Sequence, residues 1–241
     1  MGDRSLILNS GAKSTLAESY RTLRTNVMFS SIDKSIKSIA VTSAGPSEGK
    51  STVVSNFAIA LAQDGSRVLI IDSDLRKPKV HKLFALPNNI GLTNILTERL
   101  PWEEHIASVE ELPNLYVMTS GPIPPNPSEI VGSEKMRSMV SELKESFDFV
   151  LLDTPPVGVV TDAAIVSSYA DGTILVVASG NVEIEAAQRA KELLVNVKAN
   201  ILGVVLNKIS IKGAGYYKYY YYGGYYEDES HRKKKKGRRD Q

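Results

Sequence analysis

The sequence predicts a doubly wound α/β fold around a mainly parallel sheet. Short apolar runs rich in β-branched residues alternate with helical patterns along the chain, and such runs are typical of parallel strands that are covered on both faces. A near-match to the P-loop follows the first run. Since crossover connections are right-handed, helices are expected on both sides of the sheet.

Six strands and five helices are expected in alternation. The strands are predicted at 38–42, 67–72, 115–119, 148–153, 173–178 and 201–206. The helices are predicted at 15–29, 50–63, 128–146, 161–169 and 182–197. Gly65 follows the second helix, where a glycine commonly ends a helix.

Length and composition indicate one globular domain with short ends. A chain of 241 residues with 42% hydrophobic content can bury a full core. We expect an N-terminal helical segment at 1–36, a P-loop domain at 37–212 and a flexible tail at 213–241. No apolar run reaches the roughly 18 residues of a membrane span, and residues 1–8 do not resemble a signal peptide, so a cytoplasmic location is expected.

Residue usage restricts the possible chemistry to oxygen ligands and lysines. The absence of cysteine excludes disulfides and thiolate sites, and three histidines make a zinc site improbable. The net charge is +2, but residues 231–241 carry +6, so the rest of the chain has a charge of −4. The basic end predicts a solvated terminus or a contact with anionic lipid or nucleic acid.

A deviant Walker A sequence lies between the first strand and the second helix. Glycines, a helix N-terminus and a lysine are what a polyphosphate requires. Ala44 stands where the strict pattern has glycine. We expect Lys50 to hold the β- and γ-phosphates of a nucleotide and the Ser51 hydroxyl to ligate Mg²⁺. The candidate nucleotide-binding residues are Gly45, Pro46, Ser47, Glu48, Gly49, Lys50, Ser51, Thr52 and Asn207.

Three aspartates follow predicted strands. Asp72 and Asp74 end one apolar run, and Asp153 ends another. The carboxyl ends of parallel strands meet at one edge of a sheet, where such folds bind ligands. A turn after Ile71 would bring Asp72 and Asp74 to the same metal. One aspartate alone could cap a helix, but together with Lys50 and Ser51 they indicate Mg²⁺ bound with ATP.

The last predicted strand ends in Asn207-Lys208-Ile209-Ser210. Guanine-reading P-loop proteins carry Asn-Lys-x-Asp, so Ser210 favours ATP over GTP. Asn207 is expected either to face adenine or to cap a turn.

The first helix carries a charged ridge at i, i+3 spacing, formed by Glu18, Arg21 and Arg24. Such a ridge is either a solvated face or a contact for an acidic partner on another subunit. A head-to-tail ring would satisfy the second alternative.

Eight of the chain's eleven tyrosines lie close together after the last apolar segment. Glycines interrupt the run, so it lacks the spacing of core aromatics and is expected to be exposed. A Gly/Tyr low-complexity tail that stacks on nucleic acid or merely aggregates is an alternative. The residues are Tyr216, Tyr217, Tyr219, Tyr220, Tyr221, Tyr222, Tyr225 and Tyr226.

Taken together, these motifs resemble the Walker A, A′ and B motifs and the tyrosine cluster of bacterial protein-tyrosine kinases. The resemblance covers the whole chain and is to the cytoplasmic capsule or exopolysaccharide type of Gram-positive bacteria. It implies transfer of phosphate from Mg·ATP to the clustered tyrosines in trans, and an oligomerisation role for the Glu18 ridge. It also implies a membrane-protein activator at the inner face of the membrane, sugar-nucleotide enzymes as substrates and a cognate phosphotyrosine phosphatase.

Within this interpretation Lys50, Asp72, Asp74 and Asp153 are the expected catalytic residues, with Asp72 as the candidate base. One competing interpretation is a positioning ATPase of the ParA/MinD kind. Those proteins carry a signature lysine after the first P-loop position, where this chain has Gly45. Another is a nucleic-acid-binding ATPase that uses the Tyr- and Lys-rich tail.

Overall fold

A computed structural model describes residues 6–9, 14–30, 35–180 and 182–209. Within them, seven strands form one sheet in the order β3-β4-β2-β5-β1-β6-β7. The chain up to Asn207 is one compact unit, and Lys208 begins a second. The tyrosine cluster and the basic end lie outside the described residues. The strands are β1 Ser38–Ser43, β2 Val68–Asp72, β3 Ala107–Val109, β4 Leu112–Met118, β5 Phe149–Asp153, β6 Gly172–Ala178 and β7 Ile201–Asn207.

All neighbouring strands pair in parallel except β3, which pairs antiparallel with β4 at the edge of the sheet. The six predicted strands are confirmed to within a few residues, and β3 was missed. This strand is three residues long and its pairing shifts register after Ser108. Such a short, partly exposed strand leaves no apolar run by which it could be recognised.

The helices include the five predicted regions and two short additions, α3 and α4. The predicted helix at 128–146 is wrong in one respect, because Ser133 divides it into two. Ser133 has extended backbone, and its Oγ accepts a hydrogen bond from the Met136 N–H at 3.2 Å, as an N-cap does. The helices are α1 Thr15–Ser30, α2 Lys50–Gln63, α3 Val80–Leu83, α4 Leu92–Glu98, α5 Pro127–Gly132, α6 Glu134–Ser146, α7 Asp162–Ser167 and α8 Ile184–Asn196, with 3₁₀ turns at Ile7–Asn9 and Trp102–Glu104.

Apolar cores cover both faces of the sheet, as the doubly wound prediction requires. Ile70 of β2 packs in one core with Phe57 of α2. Its neighbour Leu69 points into the other core, together with Met136 of α6. Successive residues of a strand face opposite sides, so apolar neighbours on β2 serve both cores. Among the described helices, none is long and apolar enough to cross a membrane.

Candidate active site

The loop between β1 and α2 ends in Gly49, and any other residue at this position would push the Asn207 side chain aside. Gly49 has φ 93°, in the left-handed region. A Cβ added there would lie 2.3 Å from Nδ2 of Asn207. The loop therefore turns tightly into the N-terminus of α2, where Lys50 and Ser51 follow. The first N–H groups of a helix lack partners within the helix and favour a bound anion.

Lys50 connects the loop to two of the predicted aspartates. Its Nζ lies 2.8 Å from Oδ2 of Asp74 and 3.4 Å from Oδ1 of Asp153. Burial lowers the pKa of Lys50, but the charges of Asp153 and Asp74 outweigh that effect and the net pKa is raised. The ammonium is thus held in its charged form at the place where a phosphate would need neutralisation.

The aspartates lie together because of the strand register and a turn. Asp72 and Asp153 are direct partners at the ends of β2 and β5, and neither side chain is exposed. Strand β2 ends at Asp72, so Asp74 comes from the following turn, where the Ser73 N–H donates to the Asp153 carbonyl at 2.8 Å. The turn thus brings Asp74 to the same edge of the sheet as Asp72 and Asp153.

Asp72 has an unusual proton affinity. Burial, followed by the negative charge of Asp153, raises the pKa of Asp72 to about 8. Its Oδ2 accepts hydrogen bonds from the N–H groups of Lys79 at 3.0 Å and Val80 at 2.9 Å. Burial likewise raises the pKa of Asp153. Perturbed carboxylates in a cluster of this kind are typical of functional sites.

The carboxylates fit a magnesium nucleotide better than an isolated metal ion. Within the described residues, no group of three or more His, Cys, Asp or Glu is arranged to hold a metal. Mg²⁺ bound with a nucleotide takes only one or two carboxylates, because phosphates and water complete its shell. Oδ1 of Asp72 and Oδ2 of Asp153 are buried and have no hydrogen-bond partner in the described part, which leaves acceptors for such an ion or its waters.

Two predicted nucleotide-binding residues instead support the loop through their side chains. Glu48 is buried, and its carboxylate accepts from the N–H groups of Gly45 and, at 3.0 Å, Ala178. The Asn207 side-chain amide donates to the Glu48 carbonyl at 2.9 Å. The ends of β6 and β7 thereby hold the loop in place, while the predicted contact of Asn207 with adenine stays a prediction.

One ion pair at the site was not expected from the sequence. Arg76 follows Asp74 by two residues and donates to both carboxylate oxygens of Asp162, at 2.9 Å and 3.0 Å. The Ser128 hydroxyl completes the group with a 2.8 Å hydrogen bond to Asp162. The only sequence signal was an arginine after two functional aspartates.

The charged ridge of α1 lies apart from the aspartate cluster. Glu18 and Arg21 pair with each other at 2.8 Å, and Arg24 pairs with Asp64 at 2.9 Å. The Glu18–Arg21 pair lies within α1, and the Arg24–Asp64 pair links α1 to the C-terminal end of α2.

Comparisons with known proteins identify the family. A ParA profile, described as NUBPL iron-transfer P-loop NTPase, matches residues 34–219. Tyrosine-protein kinase YwqD of Bacillus subtilis is 44% identical over 216 residues, covering 90% of this chain and 91% of its own. The chain belongs to the bacterial tyrosine-protein kinase family. This confirms the fold class, the resemblance and the enzyme class predicted from the sequence.

Further relatives agree with this kinase family. Tyrosine-protein kinase CpsD of Streptococcus agalactiae is 37% identical over 203 residues, 84% of this chain and 87% of its own. The crystal structure of the chimerical protein CapA2B2 superposes with a TM-score of 0.82 at 42% identity, covering 87% and 92% of the two chains. MinD of Aquifex aeolicus gives 0.61 at 28% identity, covering 73% and 71%. The positioning ATPases therefore share the fold but are more distant than the kinases.

Proposed function

We propose that this kinase transfers the γ-phosphoryl group of Mg·ATP to tyrosines of its own C-terminal cluster, in trans, and to other proteins. The observation that carries the proposal is the position of Lys50 at the start of α2, within 3.4 Å of both Asp74 and Asp153. Kinship with tyrosine-protein kinases supplies the acceptor.

Lys50, Ser51 and the loop N–H groups of residues 45–52 bind and orient the phosphates. Glu48 and Asn207 hold the loop through hydrogen bonds within the protein, an arrangement that favours preorganised donors for the phosphates. Mg²⁺, held through Ser51, Asp74 and Asp153 with Asp72 nearby, would neutralise charge on the β- and γ-phosphate oxygens.

Asp72 acts as the base in this mechanism. The tyrosine Oη forms a bond to the γ-phosphorus while the bond from that phosphorus to the β,γ-bridging oxygen breaks, and ADP leaves. The phenolic proton passes to Asp72. A phenol has a pKa near 10, so an aspartate is a weak but sufficient acceptor, because the proton leaves as the bond from oxygen to phosphorus forms.

The acceptor tyrosines, Tyr216 to Tyr226, belong in this proposal to a neighbouring subunit. A linker of about 10 residues without fixed structure spans roughly 17 Å root mean square, which is the reach that this arrangement requires. Glu18, Arg21 and Arg24 would form the contacts of a homo-oligomeric ring.

The proposal extends to the cellular setting, for which kinship with capsule-type kinases is the support. We place the kinase in the cytoplasm, brought to the inner face of the membrane by a membrane-protein activator with a cytoplasmic tail. Its other substrates would be sugar-nucleotide enzymes of capsular or exopolysaccharide synthesis, and a phosphotyrosine phosphatase would reverse the modification.

Mass spectrometry after incubation with Mg·ATP tests the reaction. Wild-type protein incubated with a candidate activator tail should gain phosphate on Tyr216 to Tyr226, while the Lys50→Met variant should gain none. Hydrolysis of ATP without phosphotyrosine, even with activator, would favour a positioning ATPase instead.

A further inference from the structure

A strongly basic segment follows the catalytic aspartates. We call residues 76–82 the basic loop, which contains Arg76, Lys77, Lys79, His81 and Lys82. In the sequence no carboxylate occurs between Asp74 and Glu98. The loop is thus a local excess of positive charge in a body whose net charge is negative.

Three lysines of the basic loop are exposed and have no partner of opposite charge among the described residues. The side chains of Lys77, Lys79 and Lys82 make no hydrogen bond or ion pair with another described residue. Arg76, by contrast, is committed to Asp162. Like charges this close repel one another, so an anion that bridges them would relieve the repulsion.

The backbone of the basic loop is hydrogen-bonded to the catalytic carboxylates. The Lys77 N–H donates to Oδ1 of Asp74 at 3.0 Å, and the Lys79 N–H donates to Oδ2 of Asp72 at 3.0 Å. Three residues of chain span at most about 10 Å. Whatever binds the lysines is therefore held beside the aspartates.

We propose that the basic loop recognises carboxylates just C-terminal to the acceptor tyrosine, which gives the enzyme a preference for acidic tyrosine peptides. The occupant is the segment Tyr225-Tyr226-Glu227-Asp228-Glu229 of a second copy. In an extended peptide Tyr226 and Glu229 are about 10 Å apart, so a tyrosine at the aspartates would bring its acidic neighbours near the exposed side chains of the lysines that follow them. The inference rests on the proposed kinase function and predicts that Tyr225 and Tyr226 are better acceptors than Tyr216 and Tyr217.

Peptide kinetics with the full-length kinase test this recognition. One synthetic peptide carries the sequence of residues 213–230, and a matched peptide replaces its acidic triplet with Gln-Asn-Gln. For the wild type, kcat/KM should be about three- to tenfold higher with the acidic peptide, mainly through KM. The ratio should fall toward one as salt rises, because exposed charges are screened.

Two charge-matched variants separate the basic loop from general charge effects. The triple variant Lys77→Gln, Lys79→Gln, Lys82→Gln should bring the ratio of the two peptides to about one. A control triple variant Arg99→Gln, Arg189→Gln, Lys198→Gln removes the same charge elsewhere and should keep the wild-type ratio. Reversal of the three loop lysines to Glu should favour a peptide with Lys-Lys-Lys in place of the triplet.

The possible failures are distinguishable. If neither the peptides nor the protein's own tyrosine cluster are phosphorylated, the kinase proposal itself fails; if only the peptides stay unmodified, the recognition inference is overturned. If both peptides react equally well with the wild type, or if the loop variant keeps the ratio, the recognition inference is overturned. It is also overturned if the loop variant changes KM for Mg·ATP and not for the peptide, because the lysines would then serve the nucleotide.

Discussion

Arg76 binds both carboxylate oxygens of Asp162, with Nε to Oδ2 at 2.9 Å and Nη2 to Oδ1 at 3.0 Å. Asp162 is fully buried at the start of α7, while Arg76 belongs to the turn after β2. The same group includes Ser128 of α5. Segments that follow three different strands are therefore fixed to one another beside the aspartates.

Loss of this ion pair should destabilise the protein. We expect Arg76→Ala to lower the free energy of unfolding by about 1–3 kcal/mol, because a buried carboxylate loses its partner while Arg76 itself is partly exposed. Arg76→Lys should retain only part of the stability that Arg76→Ala loses, since lysine cannot bind both carboxylate oxygens in parallel. Urea unfolding measures this, and full recovery by lysine would contradict the two-point pairing.

Gly49 should be irreplaceable for a steric reason. We expect Gly49→Ala to weaken nucleotide binding, because the new Cβ would lie 2.3 Å from Nδ2 of Asn207 and would displace that amide from the Glu48 carbonyl. Gly65→Ala is the matched control, since Gly65 has φ 96° but an added Cβ meets nothing within 4 Å. That control should cost only about 1–2 kcal/mol of stability. Calorimetric titration with nucleotide distinguishes the two, and equal binding by both variants would rule out the clash.

Asp72 should matter more for transfer than for binding. We expect Asp72→Asn to lower kcat by about 10²- to 10⁴-fold, because the proton acceptor is lost, with a smaller change in ATP affinity. Asp148→Asn, at the opposite end of β5, is the control and should leave both nearly unchanged. Rapid-quench measurement of phosphotyrosine beside equilibrium nucleotide binding gives the two numbers. Equal losses in transfer and affinity would remove Asp72 from the role of base.

Asp171 should make stability depend on acid pH. Burial raises the pKa of Asp171, but hydrogen bonds from Ser38, Lys144 and Lys37 outweigh it and the net pKa is lowered. The stabilisation is therefore complete above the ordinary pKa of about 3.9 and is lost as pH falls through the lower folded value.

We expect Asp171→Asn to cost about 1–2 kcal/mol at pH 7, with the difference from wild type shrinking below about pH 4. Glu145→Gln, an exposed residue of α6, should change stability by less than about 0.5 kcal/mol at either pH. Denaturation followed across pH measures both, and a difference that persists unchanged into acid would contradict the assignment.

The sequence predicted those features that depend on neighbours along the chain. Helix α2 was bounded correctly at Lys50 and Gln63 because glycines flank it on both sides. The nearness of Asp72 and Asp153 was predictable because parallel strands end at one edge. Gly132 ends α5 and Ser133 caps the start of α6. This local signal was overlooked, so the two helices were predicted as one.

The features that were missed depend on contacts between distant parts of the chain. Glu48 reaches the N–H of Ala178, 130 residues away, and Arg76 reaches Asp162 across 86 residues. A carboxylate in a phosphate-binding loop gives no local sign that its partner is backbone on another strand. Such pairings require the strand order and the loop directions, which composition and periodicity do not contain.

Helix α2 has a further consequence for how assembly could act on catalysis. Asn56 of α2 accepts from the Ile7 N–H at 2.8 Å and contacts the Tyr20 hydroxyl of α1 at 3.5 Å, and Arg24 of α1 pairs with Asp64 just after α2. Packed helices lie about 8–10 Å apart. A neighbouring protomer seated on α1 would thus contact the helix whose other end carries the phosphate-binding turn, and the 14 residues of α2 would connect the two sites over about 21 Å.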